Sequence, residues 1–182
     1  MKYGELKTVP QWQRSKGSLI LTAALELSTN QVTHLYSKKK DTDEMLKLLE
    51  ILLDEYSSES CIYLSWDAAS WHASKRLFAR VNEINDPDYR THHRVPHVRL
   101  APLPTRAQFL NVIESVFSGT ARAIIHNSDY PSVKEAMSAI DLYFVERDRH
   151  FREDPKRAGR KIWGRERVPA SFDEANNCKD AE

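Results

Sequence analysis

The apolar residues of this chain come in two rhythms, and the order in which those rhythms alternate most constrains the fold. Short apolar runs mark strands. Residues 18–27, Ser-Leu-Ile-Leu-Thr-Ala-Ala-Leu-Glu-Leu, form the first, and Val32-Thr33-His34-Leu35-Tyr36 the second. The polar stretch Ser28–Gln31 between them predicts a hairpin turn. Cys61–Trp66 is a third run, and His97–Leu100 a fourth, closed by Pro102 and Pro104. Between and after them, apolar residues recur every three or four positions, as on one face of a helix. Met45, Leu48, Leu49, Leu52 and Leu53 give such a stripe, with Asp41 as N-cap and Glu44 in capping-box position. Ser70 can cap a helix to about Asn82 that turns Leu77, Phe78 and Val81 inward. Thr105 can cap a helix over about 106–125, striped by Phe109, Leu110, Ile113, Val116 and Phe117. Pro131 at N1 opens a long helix to about Phe151. Residues 83–96, polar and with two prolines, read as a loop. The order strand, strand, helix, strand, helix, strand, helix, helix predicts an α/β sheet with helices packed on it.

With 182 residues the chain has length for one domain. Its two cysteines, Cys61 and Cys178, make neither a disulfide framework nor a four-cysteine zinc site. No apolar run approaches the roughly 20 residues that span a bilayer, and the N-terminus has no apolar signal core. A cytoplasmic protein without a membrane partner is expected. The net charge of +1 hides a split. Residues 146–167 hold nine Lys/Arg against five Asp/Glu, and residues 168–182 hold one against four. Any nucleic-acid contact must therefore rest on local patches.

Two carboxylates stand where chemistry is expected. Asp67 follows the third strand directly, and Glu114 lies beside an apolar helical stripe. Carboxylate oxygens suit a hard divalent cation, and two such ions can activate water and stabilise a leaving oxygen in phosphodiester cleavage. On spacing alone the pair is weak: a helix Glu is usually solvated, and a strand-end Asp often caps a helix.

The words around both acids carry more. Ile62-Tyr63-Leu64-Ser65-Trp66-Asp67-Ala68-Ala69-Ser70-Trp71-His72-Ala73-Ser74 resembles the second-acid motif of mariner-like bacterial insertion-sequence transposases, a hydrophobic strand followed by Asp-Asn-Ala-Ser-x-His-x-Ser. Leu110-Asn111-Val112-Ile113-Glu114-Ser115-Val116-Phe117 is similar to their third-acid motif, Leu-Asn-Pro-Ile-Glu-x-Val-Trp. Leu100-Ala101-Pro102-Leu103-Pro104 resembles the Leu-Pro-Pro-Tyr-Ser segment before it. The resemblance covers roughly residues 8–150. It implies an RNase H-like DDE catalytic domain that cleaves and joins DNA with Mg²⁺ or Mn²⁺. Asp67 and Glu114 would be catalytic acids and metal ligands, with His72 and Asn111 in support.

The departures matter as much. Ala68 replaces the usual Asn, and Val112 the usual Pro. The family's first Asp lies on a strand ahead of the region that matches residues 8–20, and the residues before that region offer only Glu5. The expectation is therefore a partial RNase H-like domain over 18–150, lacking its first strand. An irregular lead-in over 1–17 precedes it, and a basic then acidic tail over 151–182 follows. Such a fragment would be inactive alone. It would need an N-terminal fragment or act with full-length transposase. The alternatives are a non-enzymatic fragment that binds DNA or a partner and modulates transposition, or an inert remnant. A homodimer is implied by the relatives' habit. Lys75, Arg76, Arg147, Arg149, Arg152, Lys156, Arg157, Arg160 and Lys161 are the DNA-contact candidates, sequence-independent and salt-sensitive. His92, His93 and His97 read as a solvated cluster rather than metal ligands.

Overall fold

The structure is a computed structural model, which describes residues 14–66, 74–103, 110–126 and 128–159. It is a mixed α/β arrangement of two small sheets and five α-helices among the described residues. The expected hairpin forms from β1 (Ile20–Leu25) and β2 (Val32–Ser37), paired antiparallel with Leu25 opposite Val32. Asn30 takes a positive φ in the turn, a conformation Asn tolerates better than most residues. The second sheet pairs β3 (Cys61–Leu64) with β4 (His97–Leu100) in parallel, Ile62 opposite Val98. The expected third strand ends two residues early by pairing, although Leu103 N still donates to Trp66 O at 2.8 Å.

Helix α1 (Thr42–Glu55) starts where its cap predicts: Asp41 accepts from the amides of Asp43 and Glu44. Only half of a capping box forms, because Glu44 turns its carboxylate to Lys47 Nζ at 2.9 Å instead of back to the cap. Helix α2 (Lys75–Ile84) is capped by Ser74, four residues beyond the expected Ser70, which lies outside the described residues. The expected 83–96 loop is corrected. It contains α3 (Pro87–His93), with Asp86 as N-cap, Pro87 in the first turn and Arg94 ending it in a left-handed conformation. A cap followed by Pro is a strong start signal, but a short helix with no buried residue shows no apolar stripe to find.

Helix α4 (Ile113–Thr120) is shorter than the expected 106–125 element and passes into a π-helical turn at Ala121–Ile125. Residues 104–109, where Thr105 was expected to cap it, lie outside the described residues. Helix α5 (Val133–Glu153) is capped by Ser132 through the Glu135 amide, so Pro131 precedes the cap rather than occupying N1.

The apolar residues gather in two cores. One holds Leu49, Leu53, Trp66, Leu77, Val81, Ile84 and Val98, with Ile62, Leu64 and Leu100 against it. The other packs Val32, Val116, Ile140 and Phe144 with Leu21, Ala23, Leu25 and Tyr36. Thus α1 and α2 cover one face of β3–β4, and α4 and α5 cover one face of the hairpin. Helix α1 also contacts both hairpin strands. Gly17 closes the approach to α5: its φ is +138°, and a Cβ there would meet Val133 Cγ2 at 2.5 Å.

Truncating Leu49, 2% exposed in the first core, tests this packing. Leu49→Ala should lower unfolding free energy by about 2–5 kcal/mol in a denaturant titration; a loss below about 1 kcal/mol would place Leu49 outside a packed core.

Candidate functional site

Glu114 sits in the first turn of α4 with its side chain exposed. Its amide donates to Asn111 O at 3.1 Å, and Ser115 N donates to Val112 O at 3.0 Å. The turn Asn111-Val112 thus sets the helix start without a side-chain cap. Asn111 is half-buried just ahead of it. A carboxylate in this first turn is favoured by the helix dipole whatever else it does.

Asp67 and His72 lie outside the described residues, as do Arg160 and Lys161. The described structure ends on the near side of Asp67. Trp66 is 7% exposed in the first core and bonded to Leu103, so β3 delivers the chain to position 67 from an anchored residue. Among the described residues, no group of three or more His, Cys, Asp or Glu converges as a metal site would require. Glu114 alone does not build one.

The histidines part company. His92 and His93 are exposed on α3, with His93 stacked on Tyr89. His97 sits in β4, its Nδ1 buried without a hydrogen-bond partner among the described residues. Burial, with Arg90 and Arg99 nearby, holds its pKa below the ordinary value.

The basic candidates are placed differently from a simple exposed stripe. Arg147 is nearly buried. It donates from Nη1 to Asn30 O (2.6 Å) and Asp148 Oδ1 (2.9 Å), and from Nη2 to Asn30 Oδ1 (2.5 Å), with Phe151 under its guanidinium. Its charge fastens the hairpin turn to α5. Arg149 bridges Glu146 and Glu153 on its own helix. Arg152 donates to Gln31 Oε1 at 2.9 Å, and Lys156 pairs with Asp154. Arg76 pairs with Asp43 across α1 and α2 at 2.8 Å, and Lys75 is exposed in the first turn of α2. An open cleft of about 460 Å³ runs between the hairpin turn, α4 and α5, with Asn30, Ser115, Tyr143, Arg147, Lys156 and Arg157 among its walls.

One cluster was not legible from spacing. Asp141 Oδ1 on α5 accepts from the Tyr36 hydroxyl (2.6 Å) and lies 2.9 Å from His34 Nε2, both on β2. His34 and Tyr36 share one strand face by period two, but nothing local pairs them with a residue 105 positions away. Burial and Asp141 hold the Tyr36 phenol well above its ordinary pKa, so it stays protonated and donates. Burial pushes the Asp141 carboxyl up, but the hydrogen bonds from Tyr36 and His34 outweigh it and leave the carboxyl low. This is a strand-to-helix clamp with a phenol unsuited to nucleophilic work.

No family model, no curated protein and no solved structure matches this chain. No helix among the described residues is long and apolar enough to cross a membrane.

The clamp makes a pH prediction. A carboxyl held low in the fold contributes stability above its unfolded value, near 3.9, and loses it as pH falls through the folded value. Wild-type stability should therefore fall more steeply below about pH 4 than that of Asp141→Asn. Parallel acid limbs in the two chemical-denaturation profiles would contradict the assignment.

Proposed function

We propose that the chain is a catalytic-domain fragment of a DDE transposase, of RNase H-like type, that acts in DNA strand cleavage and transfer only when completed. The observation that carries this reading is the pair of motif words around Asp67 and Glu114, in the order their resemblance requires. The placement of elements supports it. An antiparallel hairpin is followed by a helix, then by a strand that runs to the residue before Asp67, then by a parallel partner. Glu114 follows on an exposed first turn, where its carboxylate is open to solvent.

Asp67 and Glu114 would hold Mg²⁺ or Mn²⁺, whose role in this reaction class is to activate water and stabilise the leaving oxygen. His72 and Asn111 would orient groups around them. Two acids give less negative charge than three. These 182 residues assayed alone should therefore hold the metal ions too weakly to cleave. DNA is the substrate. Lys75, exposed in the first turn of α2, is better placed to touch it than Arg147 and Arg149, whose charges are spent on Asp148, Glu146 and Glu153.

Purified chain incubated with supercoiled plasmid and Mn²⁺ should nick no more than its Asp67→Ala variant. Adding a polypeptide that carries an Asp-bearing strand should produce metal-dependent nicking that Asp67→Ala and Glu114→Gln each abolish. Nicking by the chain alone that Asp67→Ala removes would overturn the inactivity. If neither nicking nor salt-sensitive DNA binding appears with the added polypeptide, the transposase reading fails. Binding that weakens steeply with salt but never leads to cleavage would favour a DNA-binding modulator.

A further inference from the structure

The charges at one corner of the fold are unbalanced. From Tyr89 to Leu100 the chain carries Arg90, Arg94 and Arg99, with His92, His93 and His97, and no Asp or Glu. On α2 and α5, by contrast, Arg80 takes Glu50 and Glu83, Arg147 takes Asp148, and Arg149 takes Glu146 and Glu153. No carboxylate among the described residues pairs with Arg90, Arg94 or Arg99. The dipole of a helix favours cations in its last turn, which accounts for Arg90, His92 and His93 on α3. It does not account for Arg99, which stands on β4.

Neighbouring contacts hold this corner in place. Asn85, at the end of α2, donates to Val98 O and accepts from Val98 N, both at 2.8 Å. Arg80 donates to the Tyr89 hydroxyl at 2.8 Å and so ties α3 to α2. Pro96, one of the most deeply buried side chains, joins α3 to β4. Val98 and Leu100 turn into the first core, so Arg99 between them takes the other face of the sheet. It is exposed there, with its guanidinium carbon 5.8 Å from the centre of the Tyr63 ring. Arg94 is exposed where the chain leaves α3, at a φ of +54°. Gly or Asn takes up that conformation at less cost, so the turn itself does not call for Arg. Arg90 lies half-buried behind it, and its Nε has no hydrogen-bond partner among the described residues.

We propose that Arg94 and Arg99 form a binding surface for the phosphate backbone of nucleic acid, at the end of α3 and on the outer face of β4. A guanidinium presents paired N–H donors that match phosphate oxygens. Here two of them are exposed, matched by no carboxylate and fixed to one platform, so little freedom is lost when a polyanion arrives. Contacts of this kind position a strand without reading its sequence, and they weaken with salt. The choice of DNA as the polyanion rests on the functional reading above. The surface itself rests on the unmatched charges.

The probe is a fluorescein-labelled DNA duplex of about 20 base pairs, titrated with the full chain and followed by anisotropy at several salt concentrations. The wild type should bind with an affinity that falls as salt rises. Arg94→Gln combined with Arg99→Gln should bind more weakly, with a slope of log K against log salt flatter by about 1.8, at roughly 0.9 per phosphate contact. Arg99→Gln alone should flatten it by about 0.9 and gives the same reading should the double variant fail to fold by circular dichroism. Lys47→Gln combined with Lys134→Gln removes the same charge on α1 and α5 and should leave the slope unchanged. An equal loss in both double variants would reduce binding to net charge and overturn the proposal. So would an unchanged slope without Arg94 and Arg99, or no binding by the wild type. Polyglutamate competing as well as unlabelled duplex would overturn the nucleic-acid assignment. If binding depends on Arg94 and Arg99 while plasmid nicking fails, the surface stands and the transposase reading falls. If nicking succeeds and the slope is unchanged in the variants, the reverse holds.

Discussion

The structure depends on α1 serving two sheets at once. Its buried face is wide because Leu48, Leu49, Leu52 and Leu53 are all 6% exposed or less, and a narrower stripe would reach only one neighbour. Leu49 and Leu53 enter the core of β3–β4 and α2, while the helix also lies against β1 and β2. At its C-terminal end Tyr56 donates to Glu26 Oε2 and Glu55 accepts from Thr33, which ties the helix end to the hairpin turn. Two-stranded sheets are marginal on their own. Here each gains its stability from the helices packed on it.

The second constraint is the long reach of α5. Residues 105 to 121 positions apart meet along it: Asp141 takes Tyr36, Arg147 takes Asn30, and Arg152 takes Gln31. These contacts explain why a helix dense in arginine is not simply a basic surface. Arg147 is a positioning group for the Asn30 turn, and removing it would leave the polar groups of Asn30 and Asp148 short of partners in a half-dry site. Lys75, in the first turn of α2, is exposed. Glu114 stands exposed in the first turn of α4 and pairs with no basic side chain among the described residues.

Much of this was legible in the sequence wherever a local rule acts. Asp41 as cap, the leucine stripe of α1, the polar turn before Val32 and the strand at His97 all stand as the residues predict. The misread parts share a physical cause. Helix α3 buries none of its residues, so its apolar signal is absent, and only the Asp86-Pro87 cap marks it. Helix α4 starts at Ile113 without a side-chain cap, and the Glu114 amide donates to the Asn111 carbonyl, so its start carries no capping residue to read. The clamp at Asp141 and the hydrogen bonds of the Asn85 side chain to the Val98 backbone, both 2.8 Å, are contacts between elements, and period-two or period-3.6 patterns do not encode them. The proposed site rests on its motif words alone, and Asp67 and His72 lie outside the described residues.

The central claim is that side chains reaching across the fold seal the outer edges of β2 and β4: Asp148 Oδ2 accepts from Val32 N, and Asn85 accepts from Val98 N and donates to Val98 O. Amide hydrogen exchange tests it most directly. The account predicts slow exchange at Val32 and Val98 in the wild type, and exchange faster by about tenfold or more at Val32 in Asp148→Ala and at Val98 in Asn85→Ala. Unchanged exchange at both amides in the two variants would contradict it, because the side chains would then not be what seals them.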